Sequence, residues 1–246
     1  MIGEAHELPA NVNSVLTEFI NSSKKAFEGD LRAIVLYGSG AEGKLRPASD
    51  VNVIVLVSRF DQNKADQLRE PLRLAHAAIK LRAMFLLEDE LQPASQAFAV
   101  KFADIRRRRR VLYGDDPFAG ISISREDSIF RLKQTLLNLT LRLRESYISR
   151  GLREEQLVAT IADVAGPLRS CAATLLELEG VTAPSPKEAL QQISSSLPNA
   201  DKRNEELQLI SEARQKRILP AGVAAPTLFH LIELAQLMWA RAAALK

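Results

Sequence analysis

The feature of this chain that most limits its fold is a glycine-rich turn held between two apolar runs. Residues 33–37 (Ala-Ile-Val-Leu-Tyr) and 53–57 (Val-Ile-Val-Leu-Val) are short, aliphatic and rich in β-branching, the pattern of buried strands. Between them stand Gly38-Ser39-Gly40, Gly43 and then Ser49-Asp50-Val51-Asn52. Glycine tolerates positive φ and lets an anion approach the backbone, and Ser39 adds a hydroxyl donor. Residues two apart on a strand point the same way, about 6–7 Å apart. Asp50 and Asn52 should therefore share one face, while Val51 and Val53 pack on the other. Amide donors beside paired oxygen ligands suit a polyphosphate, with a divalent ion held on hard oxygen atoms.

Around this motif the first half of the chain mixes helices and strands. Val12, Leu16, Phe19 and Phe27 predict an amphipathic helix after Pro9, broken at Gly29-Asp30. Ala65, Leu68, Leu72, Ala75 and Ile79 predict another, with Pro71 kinking or splitting it. Residues 83–87 read as a strand, an acidic turn (Glu88-Asp89-Glu90) leads into a helical piece, and 98–105 reads as one more strand. Beyond Tyr113-Gly114-Asp115-Asp116-Pro117 strand patterns all but vanish. Apolar residues three and four apart predict long helices over 125–150 and from Leu157 to Gly180, with Gly166-Pro167 as a bend. A Pro/Ser-rich stretch over 184–198 holds one short helix at most. A weak helix follows near 205–217, and a terminal one carries Leu228, Leu231, Ala235, Met238 and Leu245. The expected organisation is an α/β domain over 1–122 and a helical bundle over 123–246.

The Gly-Ser pair followed about ten residues later by Asp-x-Asn resembles the signature of the DNA polymerase β-type nucleotidyltransferase superfamily, whose second acidic position is here Asn52. The resemblance implies an α/β (α+β) fold with a mixed sheet. It puts Gly38 and Ser39 at phosphate-contacting positions, Asp50 at the first metal-ligand position and Asn52 at the second. Gly43 and Ser49 belong to the same phosphate-binding set, and Mg²⁺ is the implied ion. A bundle after such a core is similar to the kanamycin nucleotidyltransferase group, and the segment 98–117 is similar to bacterial nucleotidyltransferase-like proteins of this length. An amide at residue 52 has lost a full charge. Even a quarter of the Coulomb attraction, about 2 kcal/mol, weakens metal binding more than tenfold.

The family's third carboxylate sits on a later strand, which points to residues 98–105, where Lys101 and Asp104 are the only ionisable side chains. Asp104 is a candidate base, or else a partner of the arginines after it. Lys101, if it faces the site, would supply the metal's positive charge itself. The five arginines 106–110 read as a solvated turn paired with nearby acids in preference to a phosphate contact, since no aromatics stand among them for base stacking.

The net charge of +3 gives no argument for nucleic acid. No apolar stretch reaches the ~18 residues of a membrane span, and residues 1–9 lack the apolar core of a secretory signal. The single cysteine, Cys171, excludes an intrachain disulfide and reads as a packing thiol in a reducing, cytoplasmic setting. His6, His76 and His230 have no ligand spacing and read as surface or packing residues, and Trp239 and Met238 as bundle core. An apolar stripe on the last helix suggests a homodimer.

Three functions fit. One is a degenerate relative that binds a nucleotide such as ATP, or another phosphate ligand, through a weakened metal site. Another is an active Mg²⁺-dependent enzyme moving a nucleoside monophosphate to a hydroxyl of unknown identity. The last is a non-catalytic interaction module.

Overall fold

A computed structural model describes residues 8–46, 49–198 and 200–245. His6 and most of the N-terminal stretch weighed as a signal lie outside them. The chain divides into two compact units, one of residues 1–95 and 102–122, the other of 96–101 and 123–246.

The first unit is built on four strands: β1 (Leu31–Tyr37), β2 (Val51–Val57), β3 (Leu81–Leu87) and β4 (Arg109–Gly114). Their order is β3-β2-β1-β4, with β2 and β3 parallel and both other pairs antiparallel. Helix α1 (Ala10–Phe27) precedes the sheet, and α2 (Gln62–Ile79) makes the crossover that the parallel pair requires. One face of the sheet carries Val51, Val53, Val55 and Val57 of β2 with Ile34 and Leu36 of β1. It packs with Leu16, Phe19 and Phe27 of α1 and with Leu68, Ala75 and Ile79 of α2. Burying each such side chain is worth about 1.5–3 kcal/mol, which holds Val51 and Val53 on this face. Asn52 consequently turns to the other face.

Helix α2 runs unbroken through Pro71, so the expected split is absent. Asp61 caps it, accepting from the backbone N–H of Asn63 at 3.0 Å and Lys64 at 3.2 Å.

The strand expected at 98–105 is a helix. After the short α3 (Leu91–Ala97), α4 spans Ala99–Arg107, and the fourth strand starts at Arg109. Residues 98–105 alternate in a way that mimics a strand, but Ala99, Phe102 and Ile105 are three apart, and all three are buried while Phe98 is exposed. That is a helix face. The arginine run is divided between the end of α4 and the start of β4, so it is not a free turn.

The second unit comprises α5 (Arg125–Arg150), α6 (Glu154–Leu178), α7 (Pro186–Ser194), α8 (Ala200–Lys216) and α9 (Ala224–Ala243). Helix α6 touches the other four and is buried along most of its length. Leu132, Leu136, Leu139 and Leu143 of α5 meet it together with Leu228, Leu231, Ala235 and Met238 of α9. The apolar stripe of α9 is thus spent in the core and offers no dimer face. Cys171 and Met238 are fully buried, but Trp239 is 40% exposed and is not core.

Candidate functional site

Register across the sheet sets one row of side chains on the face turned away from α1 and α2. Arg82 of β3 is level with Asn52 of β2, Asn52 with Tyr37 of β1, and Tyr37 with Arg109 of β4. Asp50 stands two residues before Asn52 and shares its face. Its carboxylate Oδ2 lies 3.1 Å from Nε of Arg82. The Asn52 Nδ2 donates to the backbone oxygen of Asp50 at 3.3 Å. The Asp50 and Arg82 side chains are 37% and 66% exposed, so the pair is open to solvent and to a ligand.

The glycine turn begins where β1 ends. Gly38–Gly40 form one turn of 3-10 helix that packs against β2. Gly38 has φ of 74° and Gly43 has 67°, values that favour glycine. The turn closes on itself: Ala41 N–H donates to the Gly38 carbonyl at 3.1 Å, Gly43 to Gly40 at 3.2 Å and Lys44 to Ser39 at 2.9 Å. Gly38 N–H donates to the Arg108 carbonyl at 2.9 Å. Gly38 and Gly43 therefore shape the loop and have already spent their amides. Ser49 ties off the next turn, accepting from Arg46 N–H through its hydroxyl at 3.2 Å and donating its own N–H to the Arg46 carbonyl at 2.8 Å.

Arg108 clasps this loop to α4. Its guanidinium donates to both carboxylate oxygens of Asp104, through Nε at 3.0 Å and through Nη2, and to Oε2 of Glu42 at 3.1 Å. Asp104 is thus committed to an arginine, as one of its two expected roles had it, and it stands on a helix instead of a sheet strand. Tyr37 links the two ends of the site. Burial raises its phenol pKa first; the negative charge of Asp104 adds to this and the positive charge of Arg82 opposes it. Arg109 is spent too, on Asp116 through Nη2 at 2.7 Å, and that bond holds the Asp116 carboxyl below its ordinary value. Lys101 is exposed on α4, with an ammonium pKa lowered by desolvation. Since 98–105 is no strand, no strand alternation aims Lys101 at Asp50.

Sequence reasoning missed Arg82. The signal was a lone charge at the head of the apolar run 81–87, and starting that strand at Ala83 left it outside. Its position changes the donor set. A divalent ion wants several anionic oxygens; here stand one carboxylate already holding a cation, one amide and one guanidinium. Among the described residues no cluster of three or more His, Cys, Asp or Glu is suited to a metal. Of these residues Asp50 alone offers a divalent ion an anionic oxygen.

No protein-family model matches the chain. Among solved structures it is similar to the spectinomycin adenyltransferase of Enterococcus faecialis, solved with ATP and spectinomycin, at a TM-score of 0.64 and 15% identity. That likeness covers 91% of this chain and 99% of the other. A toxin–antitoxin structure with AMP-PNP overlaps 58% of the chain at a TM-score of only 0.28, too slight to establish a shared fold. Among curated proteins, a candidate protein adenylyltransferase of Methanocaldococcus jannaschii is 34% identical over 56 residues, which is 23% of this chain and 38% of that protein's length. The chain has the nucleotidyltransferase fold, a mixed sheet with helices followed by a helical part. No helix in the described residues is long and apolar enough to cross a membrane.

Proposed function

We propose that this protein binds a nucleoside triphosphate, ATP foremost, at the β1–β2 turn without a divalent ion, Arg82 meeting the phosphate charge that a metal meets in a carboxylate-rich site. The observation that carries this reading is the 3.1 Å pair between Arg82 and Asp50, with Asn52 level with the arginine. A guanidinium is always charged and presents a fork of donors matched to phosphate oxygens. Ser39 supplies a hydroxyl at the turn. ATP is favoured among phosphates because the solved relative of the same fold was captured with it. A reducing, cytoplasmic setting for the single buried thiol belongs to the same proposal.

Calorimetry of ATP binding in EDTA and in excess Mg²⁺ tests it. Affinity should persist in EDTA and change little with Mg²⁺. Binding that appears only with Mg²⁺ refutes it.

A second reading, transfer of AMP from ATP to a hydroxyl, is favoured by the matched segment of the candidate protein adenylyltransferase. Incubating the protein and a cell extract with labelled ATP would show labelled product; no label at any metal concentration removes that reading.

A further inference from the structure

We propose that the exposed side of α5 is the contact surface for a second copy of this chain, the two α5 helices lying antiparallel about a two-fold axis at the level of Leu139. Helix α5 has two apolar sides. Leu132, Leu136, Leu139 and Leu143 are buried in the bundle, while Phe130, Leu137, Leu141 and Ile148 are 56%, 47%, 51% and 83% exposed. The exposed four are spaced seven, four and seven residues apart, the a/d pattern of a helix seam.

The spacing singles out the partner. Phe130 and Ile148 each lie nine residues from Leu139, and Leu137 and Leu141 each lie two from it. In an antiparallel pair a residue meets the one equally far on the other side. Phe130 then falls on Ile148 of the second copy and Leu137 on Leu141, an a-against-d layer each time, and the axis repeats both layers. A surface that complements itself in this way is what a two-fold interface requires.

The charges follow the same symmetry. Arg131 and Glu145 stand on the same flank of this seam, and Arg131 comes within a turn of Glu145 of the second copy. A parallel pairing would instead stack Arg144, which falls at a seam position, on its own copy. Opposed helix dipoles also favour the antiparallel arrangement. Helix α9, which the sequence suggested for this role, has its stripe inside the bundle.

Sedimentation velocity on the full chain from about 1 to about 100 µM, a range that spans the association expected of a modest interface, reads the outcome. The wild type should pass from monomer to dimer over this series. Leu141→Glu sets a carboxylate against Leu137 twice and should weaken association at least about 100-fold, with circular dichroism unchanged because the site is exposed. Combining Leu137→Lys with Leu141→Glu places opposite charges across both layers and should restore the dimer. A wild type that stays monomeric throughout overturns the proposal, leaving the face to a different molecule. A dimer that survives Leu141→Glu, or a double variant that stays monomeric, overturns it as well.

Discussion

Replacing Arg82 with glutamine removes one charge from the β3 end of the cross-sheet row and leaves the strand and most of the stem in place. The fold should hardly notice, because the Arg82 and Asp50 side chains are 66% and 37% exposed and such a pair contributes about 1 kcal/mol or less. The ligand should notice through two effects. A guanidinium-to-phosphate hydrogen bond is worth about 1.5–3 kcal/mol, and the exposure of Arg82 places it near the lower end. Asp50, freed of its cation, then repels the phosphate; at about 6 Å in a largely aqueous surrounding that adds about 1 kcal/mol. The sum, about 2.5 kcal/mol, is a loss of roughly 60–100-fold in metal-free ATP affinity. Removing the second effect with Asp50→Asn in the Arg82→Gln background should recover about fivefold. Titration calorimetry in EDTA measures all three proteins under one condition. Adding Mg²⁺ should help Arg82→Gln more than wild type, and Asn52→Asp with Arg82→Gln more again, since each step returns an anionic oxygen to an ion. An Arg82→Gln protein that binds metal-free ATP within twofold of wild type would show that the guanidinium does not meet the phosphate.

Other changes test the scaffold around this row. Arg108→Gln strands Asp104 and Glu42, whose side chains are 14% and 23% exposed, and should lower unfolding free energy in urea by about 2–3 kcal/mol, with Asp104→Asn losing less. Gly114→Ala would set a Cβ 2.0 Å from the Arg32 carbonyl at φ of 75° and should cost about 3 kcal/mol or more. Gly38→Ala has nearly the same φ, 74°, but open space around the new Cβ, and should cost only about 1–2 kcal/mol in the same assay. His230 is buried beside Arg203, Glu206 and Glu233; burial lowers its pKa, Glu206 pulls the other way, and Arg203 adds to the lowering. The unfolded chain thus binds the proton more readily. The stabilisation from neutral His230 should be complete above about pH 6.5, the unfolded value, and fade as pH falls through the folded pKa. Urea midpoints between about pH 8 and pH 5 should decline, and less steeply in His230→Gln.

Much of the molecule was legible in the residue string, and for a local reason. The two-residue repeat of a strand set Asn52 opposite Val51 and Val53, and three-four spacing marked α5, α6 and α9, because side-chain periodicity follows directly from backbone geometry. Where two periodicities fit the same residues, local reading failed: 98–105 satisfies a strand and a helix alike, and only the burial of Ala99, Phe102 and Ile105 on one side chose the helix. Trp239 went astray for the same reason, since propensity does not say which side of α9 meets α6.

By itself the sequence determined the glycine turn, the start of β2 with Asp50 and Asn52 on one face, and the change from mixed α/β to helices. Only the tertiary structure decided what Asp50 touches. The parallel pairing of β3 on β2 brings Arg82 level with Asn52 across a gap of thirty residues, and that register depends on the whole sheet and its crossover helix, which no short window of residues contains.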